Sequence, residues 1–133
     1  MLFRSRAIEL FERIGAGTVL VRTNLALTQV QRREWRVALP AVESVLRDAD
    51  QHDLRPLTCP LLLALSTCAA ATGDVAYATW AFAEARRRLK ETGFVDVDNE
   101  ALAWLLEEVA TGELAADARA VAEAQRATRL GRK

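Results

Sequence analysis

The stretch that most constrains the fold is residues 58–93, because it joins an uncharged helical segment to an amphipathic one. Residues 60–72 include no charged side chain, and their apolar residues recur at helical spacing. Gly73 then supplies a turn residue, and Asp74 supplies a carboxylate that can cap the next helix. The segment that follows has one apolar stripe, formed by Val75, Ala78, Phe82, Ala85 and Leu89. This pattern predicts a helical hairpin.

The rest of the chain is also predicted to be helical. Ala, Leu, Glu and Arg are abundant and strand-forming residues are sparse, which favours an all-α fold. A length of 133 residues, 51% of them hydrophobic, is suited to one domain with one core. Gly15-Ala16-Gly17 is expected to end a first helix, and residues 51–57 to form a polar link. The helices are predicted at about 2–14, 18–31, 34–49, 60–72, 75–92, 99–110 and 113–129.

Three of the predicted turns recur at a nearly constant interval. Gly73 lies 40 residues after Arg33, and Gly112 lies 39 residues after Gly73. Before each of the first two turns, a leucine is followed by a small residue (Leu25-Ala26, Leu65-Ser66). After each turn, a small residue and a large one stand four positions apart (Ala38 and Val42, Ala78 and Phe82). In these features the chain resembles the tetratricopeptide-repeat (TPR) proteins. Another α-solenoid, such as HEAT, and an unrelated helical bundle are the alternatives.

The resemblance implies a short right-handed superhelix of about seven helices in antiparallel hairpins. The hairpins would span about 19–50, 59–92 and 98–129, after an unpaired helix at 2–14. Similar lengthened repeats occur in bacterial signalling proteins, so the resemblance implies a non-catalytic protein–protein interaction module, acting as a cytoplasmic scaffold or sensor segment. Its partner would be a protein or peptide, such as a helix of another protein.

In TPR folds the first helix of each hairpin lines a concave groove. Transferred to this chain, the partner-binding groove would consist of Thr23, Asn24, Leu27, Val30, Leu63, Thr67, Leu102, Leu106 and Val109. The alternative is that these residues only pack against neighbouring hairpins. The helix at 18–31 is expected to place Leu20, Leu25, Leu27 and Val30 on its apolar side.

The charge balance argues against a broad nucleic-acid surface, since 18 basic residues are matched by 18 acidic ones. A regulatory subunit that contacts nucleic acid through arginine-rich helix faces is the alternative function, on account of Arg86-Arg87-Arg88 and Arg32-Arg33. Three successive residues on a helix spread over about 200°, however, so such a run does not form one flat basic patch.

The residues that could carry chemistry are few, and we expect no enzyme, cofactor or metal site. His52 is the single histidine, and Asp53 follows it in a segment expected to be solvated. Cys59 and Cys68 are nine residues apart, so on one helix they point to opposite faces and are expected to be buried free thiols. The charge-free run between Arg55 and Asp74 contains proline, threonine and serine, which favours a buried helix over a membrane span.

The amphipathic N-terminal helix would lack a hairpin partner in a TPR array. An exposed apolar strip usually marks a contact surface. We therefore expect homo-oligomerisation, or docking on a longer protein, through an apolar set that consists of Leu2, Phe3, Leu10, Phe11 and Ile14.

Overall fold

The computed structural model describes residues 2–92 and 97–131, and it leaves the side-chain surroundings of residues 2–14, 16 and 97 undescribed. Within these ranges the secondary structure is entirely helical, which confirms the predicted all-α class. The six helices are α1 (Leu2–Gln31), α2 (Trp35–Gln51), α3 (Arg55–Ala71), α4 (Val75–Thr92), α5 (Val97–Val109) and α6 (Gly112–Arg129).

The prediction of two helices before residue 31 is wrong, because α1 continues through Gly15-Ala16-Gly17 without a break. A glycine in a helix interior costs only about 1 kcal/mol relative to alanine, so two of them weaken a long helix without ending it. The chain therefore has six helices in its described part, where about seven were predicted, and the segment predicted as an unpaired helix at 2–14 is the first part of α1.

The predicted polar link at 51–57 is also too long, because α3 begins at Arg55. Pro56 stands in the first turn of this helix, where its missing N–H removes no intrahelical bond. Proline at this position is a helix-start signal, and it extends α3 by five residues beyond the predicted start at Pro60. The predicted ends of the other helices agree with the structure to within two residues.

Three successive turns share one geometry at intervals of 20 residues. Arg33, Asp53 and Gly73 each have a positive φ, at 65°, 52° and 92°. In each turn the N–H of this residue bonds to the carbonyl three positions back, and the next N–H bonds to the carbonyl five positions back. This pair of bonds is the Schellman motif that ends many helices. Helices α2 and α3 thus have the same length, 17 residues, between equivalent turns, which is compatible with a helical repeat.

Helix α3 lies at the centre of the molecule and packs against α1, α2, α4 and α5. All twelve residues from 58 to 69 are buried, which agrees with the absence of charge in this part of the sequence. Helix α1 contacts α3, α3 contacts α5, and α6 packs on α5. This arrangement of six packed helices is compatible with a helical repeat.

The close crossing of α3 and α4 depends on small side chains. Ser66 and Ala78 are both fully buried, and the Ser66 hydroxyl donates a hydrogen bond of 2.7 Å to the Ala78 carbonyl. Phe82 and Ala85 continue the buried side of α4. The small residues that the sequence places around Gly73 therefore bring the two helix backbones close together.

Candidate interaction surfaces

The nine residues predicted to line a groove are for the most part in the core. Seven of them are buried: Thr23, Leu27, Val30, Leu63, Thr67, Leu102 and Leu106. Asn24 is exposed and Val109 is partly exposed. The seven buried residues fit the packing alternative, and a role for any of the nine in binding stays a prediction.

Two polar members of this set are satisfied within their own helices. The Thr23 hydroxyl donates to the Val19 carbonyl at 2.7 Å, and the Thr67 hydroxyl donates to the Leu63 carbonyl at the same distance. A buried hydroxyl that already has a partner can stay in the core at little free-energy cost. These threonines therefore act as core residues in this chain.

The predicted self-association residues, Leu2, Phe3, Leu10, Phe11 and Ile14, fall on the part of α1 whose side chains lie outside the described residues. Their backbone belongs to α1. Self-association through these five residues stays a prediction.

An exposed aromatic patch lies on α4, next to α2. The rings of Tyr77 and Trp80 stack with their centroids 6.0 Å apart, and 54% of Trp80 is exposed. The Tyr77 hydroxyl donates a 2.6 Å hydrogen bond to Glu43 of α2. The patch therefore combines one exposed ring, Trp80, with one partly buried ring, Tyr77, which a hydrogen bond to α2 holds in place.

Tyr77 keeps its proton over the ordinary pH range. Burial of the side chain and the hydrogen bond to Glu43, with the negative charges of Glu43 and Asp74, raise the pKa of Tyr77 to about 12. The phenol is therefore neutral at physiological pH and donates to the carboxylate. This bond fixes one of the two stacked rings, so the ring pair loses little conformational freedom when a partner binds.

The outward side of α2 beside this patch carries two arginines and the carboxylate of Glu43. Arg36, Pro40 and Arg47 are exposed, and their spacing places them on the same side of the helix as Glu43. The combined α2–α4 surface therefore presents two aromatic rings, one proline, two guanidinium groups and the Glu43 carboxylate that accepts the Tyr77 hydrogen bond.

Sequence reasoning missed this aromatic patch. Val75 belongs to the apolar stripe predicted for α4 but is 64% exposed, and the predicted interaction residues do not include Trp80. The signal was present, because Trp80 lies off the stripe that includes Ala78, Phe82 and Ala85, and a tryptophan outside the buried stripe of a helix is a surface feature that needs an explanation.

Each arginine of the run on α4 has an acidic partner, and Arg87 and Arg88 share Glu84. Arg86 pairs with Asp117 of α6, Arg87 with Glu84 and Glu91 of its own helix, and Arg88 with Asp50 of α2. The hydrogen bond from Arg87, with the charges of Arg87 and Arg88, lowers the pKa of Glu84. The three side chains therefore do not combine into one basic patch.

A cleft of about 250 Å³ lies between the α2–α3 turn and the last turns of α4. Its charged lining residues are Asp50, Asp53, Arg55, Arg87, Arg88 and Glu91. Arg88 bonds to Asp50 at 2.7 Å, and Arg55 bonds to Asp53 at 3.1 Å. Because acids and bases of this cleft are paired with each other, it presents no concentrated charge of one sign to a ligand.

His52, Asp53 and the two cysteines are the residues whose chemistry could serve catalysis or metal binding. His52 is exposed at the end of α2, close to Gly15 of α1, since a Cβ on Gly15 would lie 3.3 Å from the imidazole Cε1. Cys59 and Cys68 are buried and are not joined in a disulfide, as predicted. Among the residues that the structure describes, no three histidine, cysteine or carboxylate side chains are grouped as metal ligands would be.

None of the helices in the described ranges combines the length and the apolar character that crossing a membrane requires. Comparisons with protein-family models, with curated proteins and with solved structures find no match to this chain. In the residues that the structure describes, the fold is all-α, with six packed helices, and is compatible with a helical repeat.

Proposed function

We propose that this chain is a non-catalytic protein-interaction module whose hairpins form a TPR-like right-handed superhelix. In this proposal it serves as a cytoplasmic scaffold or sensor segment of a bacterial signalling protein. The proposal is supported by the ordered contacts of α1, α3 and α5 and by the turn geometry repeated at Arg33, Asp53 and Gly73.

The observation that carries the proposal is the exposed aromatic pair on α4. Tryptophan, tyrosine and arginine are the residues most enriched among those that dominate binding energy at protein interfaces. Trp80 has a large exposed area, and its stacking partner Tyr77 is fixed by the bond to Glu43. A partner would therefore gain apolar contact area on a surface that is already ordered.

The chemistry of this surface favours a protein or peptide with apolar and acidic side chains. The aromatic rings and Pro40 would accept aliphatic or aromatic groups, and Arg36 and Arg47 would pair with carboxylates at the edge. Contact with nucleic acid is the competing proposal. The acids that pair with Arg86, Arg87 and Arg88 reduce the positive potential that phosphate contacts require.

The test uses the full chain with a photoreactive phenylalanine analogue at position 80, irradiated in the cells that express it. The matched control has the same analogue at Ala120, an exposed position of α6. We expect a discrete protein adduct at position 80 and none at position 120. A nucleic-acid adduct at position 80, or equal labelling at both positions, would contradict the proposal.

The partner identified from the adduct is then purified, and its affinity for purified variants of this chain is measured. Trp80→Ala is expected to raise the dissociation constant by about 30-fold, which corresponds to the loss of about 2 kcal/mol typical of a central tryptophan. Thr79→Ala, at the neighbouring exposed position of α4, is expected to bind like the wild type. Equal affinities for Trp80→Ala and the wild type would show that the patch is not the binding surface.

A further inference from the structure

Two arginines on the outward side of α2 have no acidic partner. Arg36 and Arg47 are exposed, and neither pairs with a carboxylate in the part of the chain that the structure describes. By contrast, Arg22 of α1 pairs with Asp48 on another side of the same helix. The guanidinium groups of Arg36 and Arg47 therefore keep all their donors for the carboxylates of a partner.

Helices α2 and α4 run side by side in the same direction. Glu43 accepts a hydrogen bond from the Tyr77 hydroxyl, and further along both helices Asp50 accepts one from Arg88. Trp80 follows Tyr77 by three residues, so it lies near α2 on the C-terminal side of Glu43. The exposed tryptophan ring therefore belongs to the same surface as the outward side of α2.

The charges on the outward side of α2 alternate in sign. Arg36 and Arg47 are eleven residues apart, which is three helical turns and about 17 Å on one side of the helix. Pro40 and Glu43 stand between them on that side. A carboxylate of a partner would thus be attracted at either end of this line and repelled by Glu43 near its middle.

We infer that the α2–α4 surface binds an amphipathic helix with two acidic residues eleven positions apart and apolar residues between them. This inference rests on the proposed function, since it names the kind of partner that the surface takes. Acidic residues at this spacing lie on one side of a helix and match the two arginines. Apolar residues between them contact Pro40 and Trp80 and keep carboxylates away from Glu43.

An extended segment fits the two arginines less well. Its side chains alternate between two sides, so residues on one side are about 13 Å or about 20 Å apart, for steps of four or six residues. Neither distance equals the separation of about 17 Å between Arg36 and Arg47. The spacing along α2 therefore favours a helical partner.

The test measures binding of a synthetic peptide to the full chain by fluorescence anisotropy at low salt. The alanine-rich peptide has about 18 residues, which is long enough for partial helix formation. It carries two glutamates eleven positions apart, with leucines four and seven positions after the first glutamate. The control peptide has lysine in place of both glutamates. Because the formal net charge of the chain is zero, its overall charge favours neither peptide.

We expect the glutamate peptide to bind at least tenfold more tightly than the lysine peptide. In the double variant Arg36→Glu/Arg47→Glu this preference is expected to reverse. The matched control is Lys90→Glu/Arg126→Glu, which reverses two exposed basic residues elsewhere on α4 and α6 and is expected to bind like the wild type. Equal binding of the two peptides by the wild type overturns the inference, and so does a folded Arg36→Glu/Arg47→Glu variant with wild-type preference.

Circular dichroism checks that each variant is folded. If the two glutamates disturb α2, the uncharged variant Arg36→Gln/Arg47→Gln must still weaken binding of the glutamate peptide.

A third peptide tests whether the partner is helical. It keeps both glutamates and both leucines but has proline between the leucines, which breaks a helix. We expect its affinity to fall at least fivefold, and an unchanged affinity overturns the inference. The cross-linking experiment at position 80 tests the proposed function separately. A protein adduct there, combined with peptides that bind equally, overturns this inference alone.

Discussion

Cys68 shows how strongly the centre of this molecule excludes water. It is fully buried on α3, and this burial raises the pKa of its thiol to about 12. An unfolded cysteine has a pKa of about 8.5. The folded chain therefore keeps the proton over a pH range in which the unfolded chain loses it. Such a thiol serves as a small apolar side chain and is protected from reagents until the chain unfolds.

The first prediction concerns alkaline pH. Because the folded-state pKa of Cys68 lies above the unfolded value, its contribution to stability is complete below pH 8 and falls as the pH rises towards 12. The limiting slope is about 1.4 kcal/mol per pH unit. We expect Cys68→Ala to show a shallower decline in unfolding free energy than the wild type between about pH 9 and pH 11 in denaturant titrations. Parallel declines would contradict the burial of this thiol.

At the scale of the element, the two glycines Gly17 and Gly73 have opposite roles. Gly17 lies inside α1, with open space where a Cβ would be. Gly73 has a φ of +92° in the turn between α3 and α4, which an L side chain rarely adopts. Glycine thus weakens one element and suits the other.

This contrast gives a matched pair of variants. Gly17→Ala is expected to raise the unfolding free energy by about 0.5–1 kcal/mol, because alanine lowers the entropy of the unfolded chain and fits a helix. Gly73→Ala is expected to lower it by about 1–2 kcal/mol, because of the cost of a left-handed conformation. Both values come from denaturant unfolding. A loss of stability in Gly17→Ala would mean that α1 is broken at residues 15–17, as the sequence alone suggested.

At the scale of the whole molecule, α3 connects the parts. It contacts α1, α2, α4 and α5, so a change in its interior should affect helices that are far apart in sequence. Most small domains unfold in one cooperative transition, and a helix packed on four others favours this behaviour.

Leu63→Ala tests this connection. Leu63 is fully buried in α3, and the truncation is expected to lower the unfolding free energy by about 2–5 kcal/mol. Native-state hydrogen exchange should show the same loss of protection for the slowest amides of α1 and of α5. If α5 kept its protection while α1 lost it, the two ends would unfold separately and α3 would not couple them.

Much of the architecture was predictable from the sequence because local signals carried it. The turn at Gly73 and Asp74, the uncharged run of α3 and the small residues at Ser66 and Ala78 all gave the correct hairpin. Pro56 in the first turn is a local signal of the same kind for the start of α3. These features depend on backbone conformation and on residue size, which neighbouring residues in the chain largely determine.

The burial of each helix side was decided by tertiary structure. An apolar stripe can be assigned to the core when the opposite side of the helix is charged, as on most of α4. Helix α1 offers no such contrast, because between Gly15 and Gln31 its only charged residue is Arg22. For such a helix only the positions of α2 and α3 determine that Thr23 is buried and Leu25 is exposed. The aromatic patch has the same origin, because Tyr77 meets Glu43 only when α2 and α4 both pack against α3.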